Sequence, residues 1–64
     1  MPELNEKEIA IARHAAEGMT VQETADAMCL SPETIRWYRK RMLRKADARN
    51  FAELIALLKD RNIL

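Results

Sequence analysis

The sequence predicts an all-α fold, a four-helix bundle containing a helix-turn-helix, and three observations carry that expectation. Four N-cap signatures divide the 64 residues into four segments of helical length. No useful stretch alternates apolar and polar residues with period two, so no sheet is expected. With 48% apolar residues, one Gly and two Pro, the composition suits a packed helical unit; a disordered chain would carry fewer apolar residues and more net charge.

Asn5 and Glu8 form a capping box that opens a first helix over about residues 6–17, and Gly18 supplies the stop. Its apolar stripe is Ile11, Ala12, Ala15 and Ala16. Thr20 and Glu23 box the start of a second helix over 21–28, with Ala25 and Met28 turned inward and Leu30 plugging the turn behind it. The small Ala25 side chain allows the next helix to approach closely. Ser31 caps a third helix over 32–46, and Pro32 in its first turn loses no hydrogen bond by lacking an N–H. Asn50 and Glu53 open a fourth over 51–61, whose stripe is Phe51, Leu54, Ile55 and Leu58. Ala52, Ala56 and Leu57 add apolar surface beyond what one small core needs, either as ordinary surface or as a partner face.

A chain of 64 residues holds one small domain, here taken as 1–64, and buries too little surface to shape a deep catalytic cleft. No nucleophile–base pair or paired carboxylate set stands out, so no enzyme and no cofactor are expected. Cys29 is the only cysteine, which rules out an internal disulfide. His14 has no ligand neighbours in sequence and reads as a surface or boundary residue, and no metal site is expected. Cys29 reads as a half-buried small side chain in the turn. No apolar run approaches a signal sequence or a membrane span, which makes the cytoplasm the expected compartment.

The net charge of +1 conceals a segregation. Residues 1–35 carry two basic groups against seven acidic, whereas residues 36–49 carry seven basic groups against Asp47 alone. A polyanion responds to the local patch as well as to the total. Two short helices joined by a tight turn, the second strongly basic, are the arrangement that inserts a helix into the DNA major groove.

At 3.6 residues per turn, Ile35, Tyr38, Met42, Leu43 and Ala46 share the core face of the third helix. The opposite face carries Arg36, Trp37, Lys40, Arg41 and Arg44, long donors suited to guanine edges in the groove and to phosphates at its rims. Ser31 and Thr34 sit at the helix start, where free amides and the dipole favour a phosphate; capping alone also explains Ser31. Trp37 lies on the charged face, as a groove residue or as part of a partner surface. Arg39 falls on the apolar side between Ile35 and Met42, so it is expected to snorkel outward or to pair with a first-helix carboxylate such as Glu8.

These residues resemble the LuxR-type (GerE, NarL/FixJ) DNA-binding domain of bacterial transcription regulators. Leu4-Asn5-x-x-Glu8 matches the opening L-T-x-x-E, and Ala16-Glu17-Gly18-Met19-Thr20 matches A-x-G-L-S. Glu23-x-Ala25 matches E-I-A with Thr24 in place of isoleucine, and Leu30-Ser31-Pro32-Glu33-Thr34-Ile35 matches I-S-x-x-T-V. Lys45, Arg49-Asn50 and Glu53 fit K-L-x-V-x-N-R-x-E, and Ile63-Leu64 resembles the G-L-I ending. The resemblance implies a four-helix domain that binds double-stranded DNA as a homodimer, with base contacts from Arg36, Trp37 and Lys40 and phosphate contacts from Thr34 and Lys45. Ser31, Arg41 and Arg44 are expected to complete the backbone contacts. Dimerisation is implied for the fourth helix, where Phe51, Leu54, Ala56 and Leu57 are the candidate positions, and RNA polymerase is a further partner class for such regulators. Besides Thr24, further positions depart from the pattern. Tyr38 replaces a frequent histidine, Arg39 a usual aliphatic residue, Ala46-Asp47-Ala48 the L-G-V corner, and Phe51 a frequent arginine. The corner between helices three and four is therefore expected to be looser.

Two other functions share these features: a sigma-factor-like promoter-binding region, and a helix-turn-helix turned to protein binding through Trp37 and the fourth helix. The capped fourth helix argues against the first, and the salt dependence of binding separates DNA from the second. Without a receiver or ligand-binding domain among these residues, the chain reads as a stand-alone regulator of the GerE kind or as a piece of a longer one.

Overall fold

A computed structural model describes residues 4–64. The four helices run α1 (Glu6–Ala16), α2 (Val21–Met28), α3 (Pro32–Ala46) and α4 (Phe51–Asp60), and no strand occurs among the described residues. Helices α2 and α3 match the expected bounds, while α1 and α4 each stop one residue earlier, at the cap.

Every helix starts where its side-chain cap dictates. Asn5 Oδ1 accepts from the Glu8 amide at 2.8 Å and Glu8 Oε1 accepts from the Asn5 amide at 3.0 Å, closing the first box. The Thr20–Glu23 box closes in the same way, at 3.1 and 2.9 Å. Ser31 Oγ accepts from the Thr34 amide at 3.2 Å with Pro32 in the first turn, and Asn50 Oδ1 accepts from the Glu53 amide at 2.9 Å.

Helix ends share one device, and only one of them uses the expected glycine. At the end of α1 the Met19 amide donates to the His14 carbonyl and the Gly18 amide to that of Ala15, with Gly18 at φ +87°. Leu30 and Ala48 close α2 and α3 by the same long bond, to Ala25 and Leu43, and Ile63 closes α4 onto Leu58. There the left-handed positions are held by Cys29 (φ 57°), Asp47 (φ 53°) and Asn62 (φ 58°). Side chains with a Cβ adopt that conformation at a cost of about 1–2 kcal/mol, less for Asn and Asp. The α3–α4 corner thus keeps a closed turn without the glycine, with Ala48 N–H to Leu43 O at 3.0 Å. Asp47, at φ 53°, holds the left-handed position that the family's glycine would take. The left-handed turn also leaves the Cys29 side chain exposed, correcting the half-buried position expected from sequence.

The core comprises Leu4, Ile11, Ala12, Ala25, Ile35, Met42, Leu54 and Leu58, so all four helices contribute to it. Ala25 is fully buried where α2 crosses α3, the close approach that its small side chain permits. Met28, Leu30, Tyr38, Leu43 and Ala46 pack around this centre as partly buried residues, and Ala15 is half-buried. Ala16 faces solvent, outside the stripe assigned to it, because α1 ends there. Thr24 is buried, and its hydroxyl donates to the Thr20 carbonyl at 2.8 Å, which satisfies the polar atom where isoleucine would be purely apolar.

Candidate nucleic-acid interface

The buried faces of Ile35 and Met42 fix the rotation of α3, and that rotation aims its other side outward. Arg36, Trp37, Lys40, Arg41 and Arg44 are all exposed, and Trp37, at 56% exposure, is the one large apolar side chain exposed among the described residues. An exposed indole on a basic face is the feature a purely structural helix would lack. Its ring meets Tyr38 edge-on at 5.0 Å between centroids, while the Arg41 guanidinium stands 5.5 Å from the Trp37 ring. An open cleft lined by Trp37, Lys40, Arg41, Arg44 and Lys45 runs along this side. At the start of α3, Ser31 is exposed and its Oγ lies 2.9 Å from Thr34 Oγ1, and Thr34 is half-buried. The hydroxyls are within reach of a ligand at the helix start, though each already has one partner.

Two of the sequence-assigned residues have intramolecular roles in this geometry. Lys45, expected at a phosphate, donates from Nζ to Glu8 Oε1 at 2.9 Å, and its side chain is 22% exposed. Its charge is engaged in joining α3 to α1. Leu54, expected in a dimer contact, is 0% exposed and belongs to the core, so it has no surface to present to a partner. Among the other fourth-helix candidates Ala56 is exposed and Phe51 and Leu57 are half-buried.

Glu8 has a wider role than the cap assigned to it from sequence. Its carboxylate is fully buried, held by the Asn5 amide and Lys45, with Arg41 Nε 3.8 Å from Oε2. Burial pushes its pKa up, but the Asn5 amide, Lys45 and Arg41 together outweigh that and hold the carboxyl below the ordinary glutamate value. A capping box announced the Asn5 contact; the α3 partner suggested by the sequence was Arg39, and the ones found are Lys45 and Arg41.

Of the two placements expected for Arg39, snorkelling outward or pairing with Glu8, the pairing does not occur. Its guanidinium lies 4.2 Å from the centroid of the Phe51 ring, in a second cleft lined by Arg36, Arg39, Lys40, Leu43, Asn50 and Phe51. No ion pair to Arg39 occurs among the described residues, and desolvation there lowers its pKa from the ordinary arginine value. Two of the departures from the family pattern, an arginine on α3 and a phenylalanine on α4, are thus in contact with each other.

Comparison with known proteins settles the family. The model of the bacterial regulatory proteins of the luxR family (GerE) matches residues 2–58. The chain belongs to the luxR family. Members are helix-turn-helix transcription regulators, and the expectation drawn from the motifs is met at that level. BvgA, a virulence-factor transcription regulator of Bordetella pertussis, is 37% identical over 60 residues, covering 94% of this chain and 29% of BvgA. The response regulator GacA of Pseudomonas aeruginosa is 41% identical over 54 residues, covering 84% of this chain and 25% of GacA. This luxR-family chain therefore spans less than a third of the length of the curated relatives it matches. No helix among the described residues is long and apolar enough to cross a membrane.

Proposed function

We propose that this luxR-family domain binds double-stranded DNA in a sequence-specific way, as the DNA-reading part of a transcription regulator, with α3 inserted in the major groove. The observation that carries the proposal is the division of α3, with Ile35 and Met42 fully buried beneath and Arg36, Trp37, Lys40, Arg41 and Arg44 presented together on the exposed side. A helix fits the major groove, and arginine and lysine can donate to guanine O6 and N7 there. Arg36, Trp37 and Lys40 are assigned to base edges. Ser31, Thr34, Arg41 and Arg44 are assigned to the sugar-phosphate backbone. Descriptions of the relatives as a transcription regulator and a response regulator support the same reading. Pairing of two copies through the exposed part of α4, with Ala56, Phe51 and Leu57, would place two such helices on half-sites about one duplex turn apart.

Lys40→Ala provides the test. On a duplex selected for tight binding, the substitution is expected to cost about 1–3 kcal/mol, with a much smaller loss on unrelated sequence. Equal losses on both duplexes would make Lys40 a phosphate contact, and no loss on either would remove α3 from the interface.

A further inference from the structure

Arg39 is the cation on α3 for which neither the family pattern nor the groove-facing stripe provides a task. On a helix of 3.6 residues per turn, Arg39 and Arg41 stand about 100° to either side of Lys40. Lys40 and Arg36 form the edge of the exposed stripe nearest Arg39, and Arg41 forms the opposite edge. A helix laid in the major groove on this stripe turns Arg41 toward one groove wall and leaves half-buried Arg39, beyond the Lys40 edge, on the side of the other. Both walls are phosphate backbones. The two arginines are supported alike, Arg41 against the Trp37 ring at 5.5 Å and Arg39 against the Phe51 ring at 4.2 Å. They differ in charge balance: Arg41 has the buried Glu8 carboxylate 3.8 Å away, and Arg39 has no ion-pair partner among the described residues.

A guanidinium lying on an aromatic face keeps its in-plane N–H groups available while the ring restricts its motion. The cleft around it adds Arg36, Lys40 and Asn50, which are cations and an amide donor with no carboxylate in the lining. We propose that Arg39, supported by Phe51, is a DNA-backbone contact that grips the phosphate strand on the α4 side of the groove. The assignment rests on the DNA-binding reading above. It makes the footprint of α3 two-sided, and it gives the exchanged pair Arg39 and Phe51 one common purpose.

The test compares wild type, Arg39→Met and Arg39→Lys. Each is titrated against a selected duplex and against unrelated duplex over a range of salt, using the anisotropy of labelled DNA, with thermal unfolding recorded for each variant. Arg39→Met keeps the apolar stem against Phe51 and removes the charge. It should weaken binding to both duplexes by a similar factor and reduce the slope of log K against log salt by roughly 0.9 per bound chain. Arg39→Lys should restore the slope and only part of the affinity, because ammonium cannot make the planar two-point contact. Wild-type slope and affinity in a folded Arg39→Met would overturn the assignment and leave Arg39 as a packing partner of Phe51. A loss confined to the selected duplex would overturn it in favour of base reading. Wild-type protein that binds neither duplex at any salt would overturn the DNA reading itself, and this assignment with it.

Discussion

On the α1 flank of α3, Lys45 and Arg41 converge on a carboxylate that is fully buried, whereas on the α4 flank Arg39 lies against a phenylalanine ring. Both arrangements hold a neighbouring helix against α3, but they leave different surfaces behind. Glu8 neutralises charge as it binds, so the charge of Lys45, 22% exposed, is largely balanced and Arg41, whose side chain is 46% exposed, is shared. Phe51 supports its cation without neutralising it. A count of basic residues treats the two flanks as equal; the packing does not.

The largest effect separates stability from assembly on the α4 flank. Leu54→Ala should cost about 2–5 kcal/mol, a large part of the total for a domain of this size, measured by urea unfolding. A variant with unchanged stability and weakened self-association would return Leu54 to a dimer contact. Next comes the α1 flank. Lys45→Met leaves the buried Glu8 carboxylate with the Asn5 amide and a distant Arg41, a loss of about 2–4 kcal/mol at neutral pH. The sign of its pH dependence is diagnostic. In the wild type Glu8 has a lowered pKa, so its contribution is complete above the ordinary glutamate value and is lost as pH falls through the lower folded value. Without Lys45 the burial cost dominates and the folded pKa rises. The variant's deficit should therefore shrink on acidification, and a deficit independent of pH would show that the pair is not the cause.

The smallest effect lies at the corner. Asp47→Gly should raise stability by about 0.5–1 kcal/mol, because glycine removes the strain of the left-handed position without altering the Ala48–Leu43 bond. Thermal unfolding of the variant measures it. A lower midpoint would mean that the aspartate side chain itself supports the turn.

Which of these features could be read in advance follows from how local each one is. Asn5, Thr20, Ser31 and Asn50 announce helix starts because the cap and its partner amide lie three residues apart. Only Gly18 marked a helix end by residue type, since Cys29, Asp47 and Asn62 adopt the same left-handed turn without a residue type that demands it. The exposed face of α3 could be read from periodicity, which orients a helix about its own axis. Periodicity does not say which residue of another helix lies opposite. Glu8 and Lys45 are 37 positions apart, and the family pattern that assigned Lys45 to a phosphate had no means of finding its partner. For Arg39 the same limit applies to the suggested partner, with Glu8 chosen from chemistry and Phe51 supplied by packing. Leu54 belonged to an apolar stripe too wide for one core, and only the docking of α4 shows which part is covered.

The most direct measurement uses Trp37, the sole tryptophan, which stands exposed in the middle of the proposed contact. Its emission is followed while the protein is titrated with mixed-sequence duplex DNA at low and at moderate salt. With α3 in the groove, the emission should change on binding and the apparent affinity should fall steeply as salt rises. Unchanged emission, together with no anisotropy change of a labelled duplex at either salt, would contradict the DNA-binding role of this face.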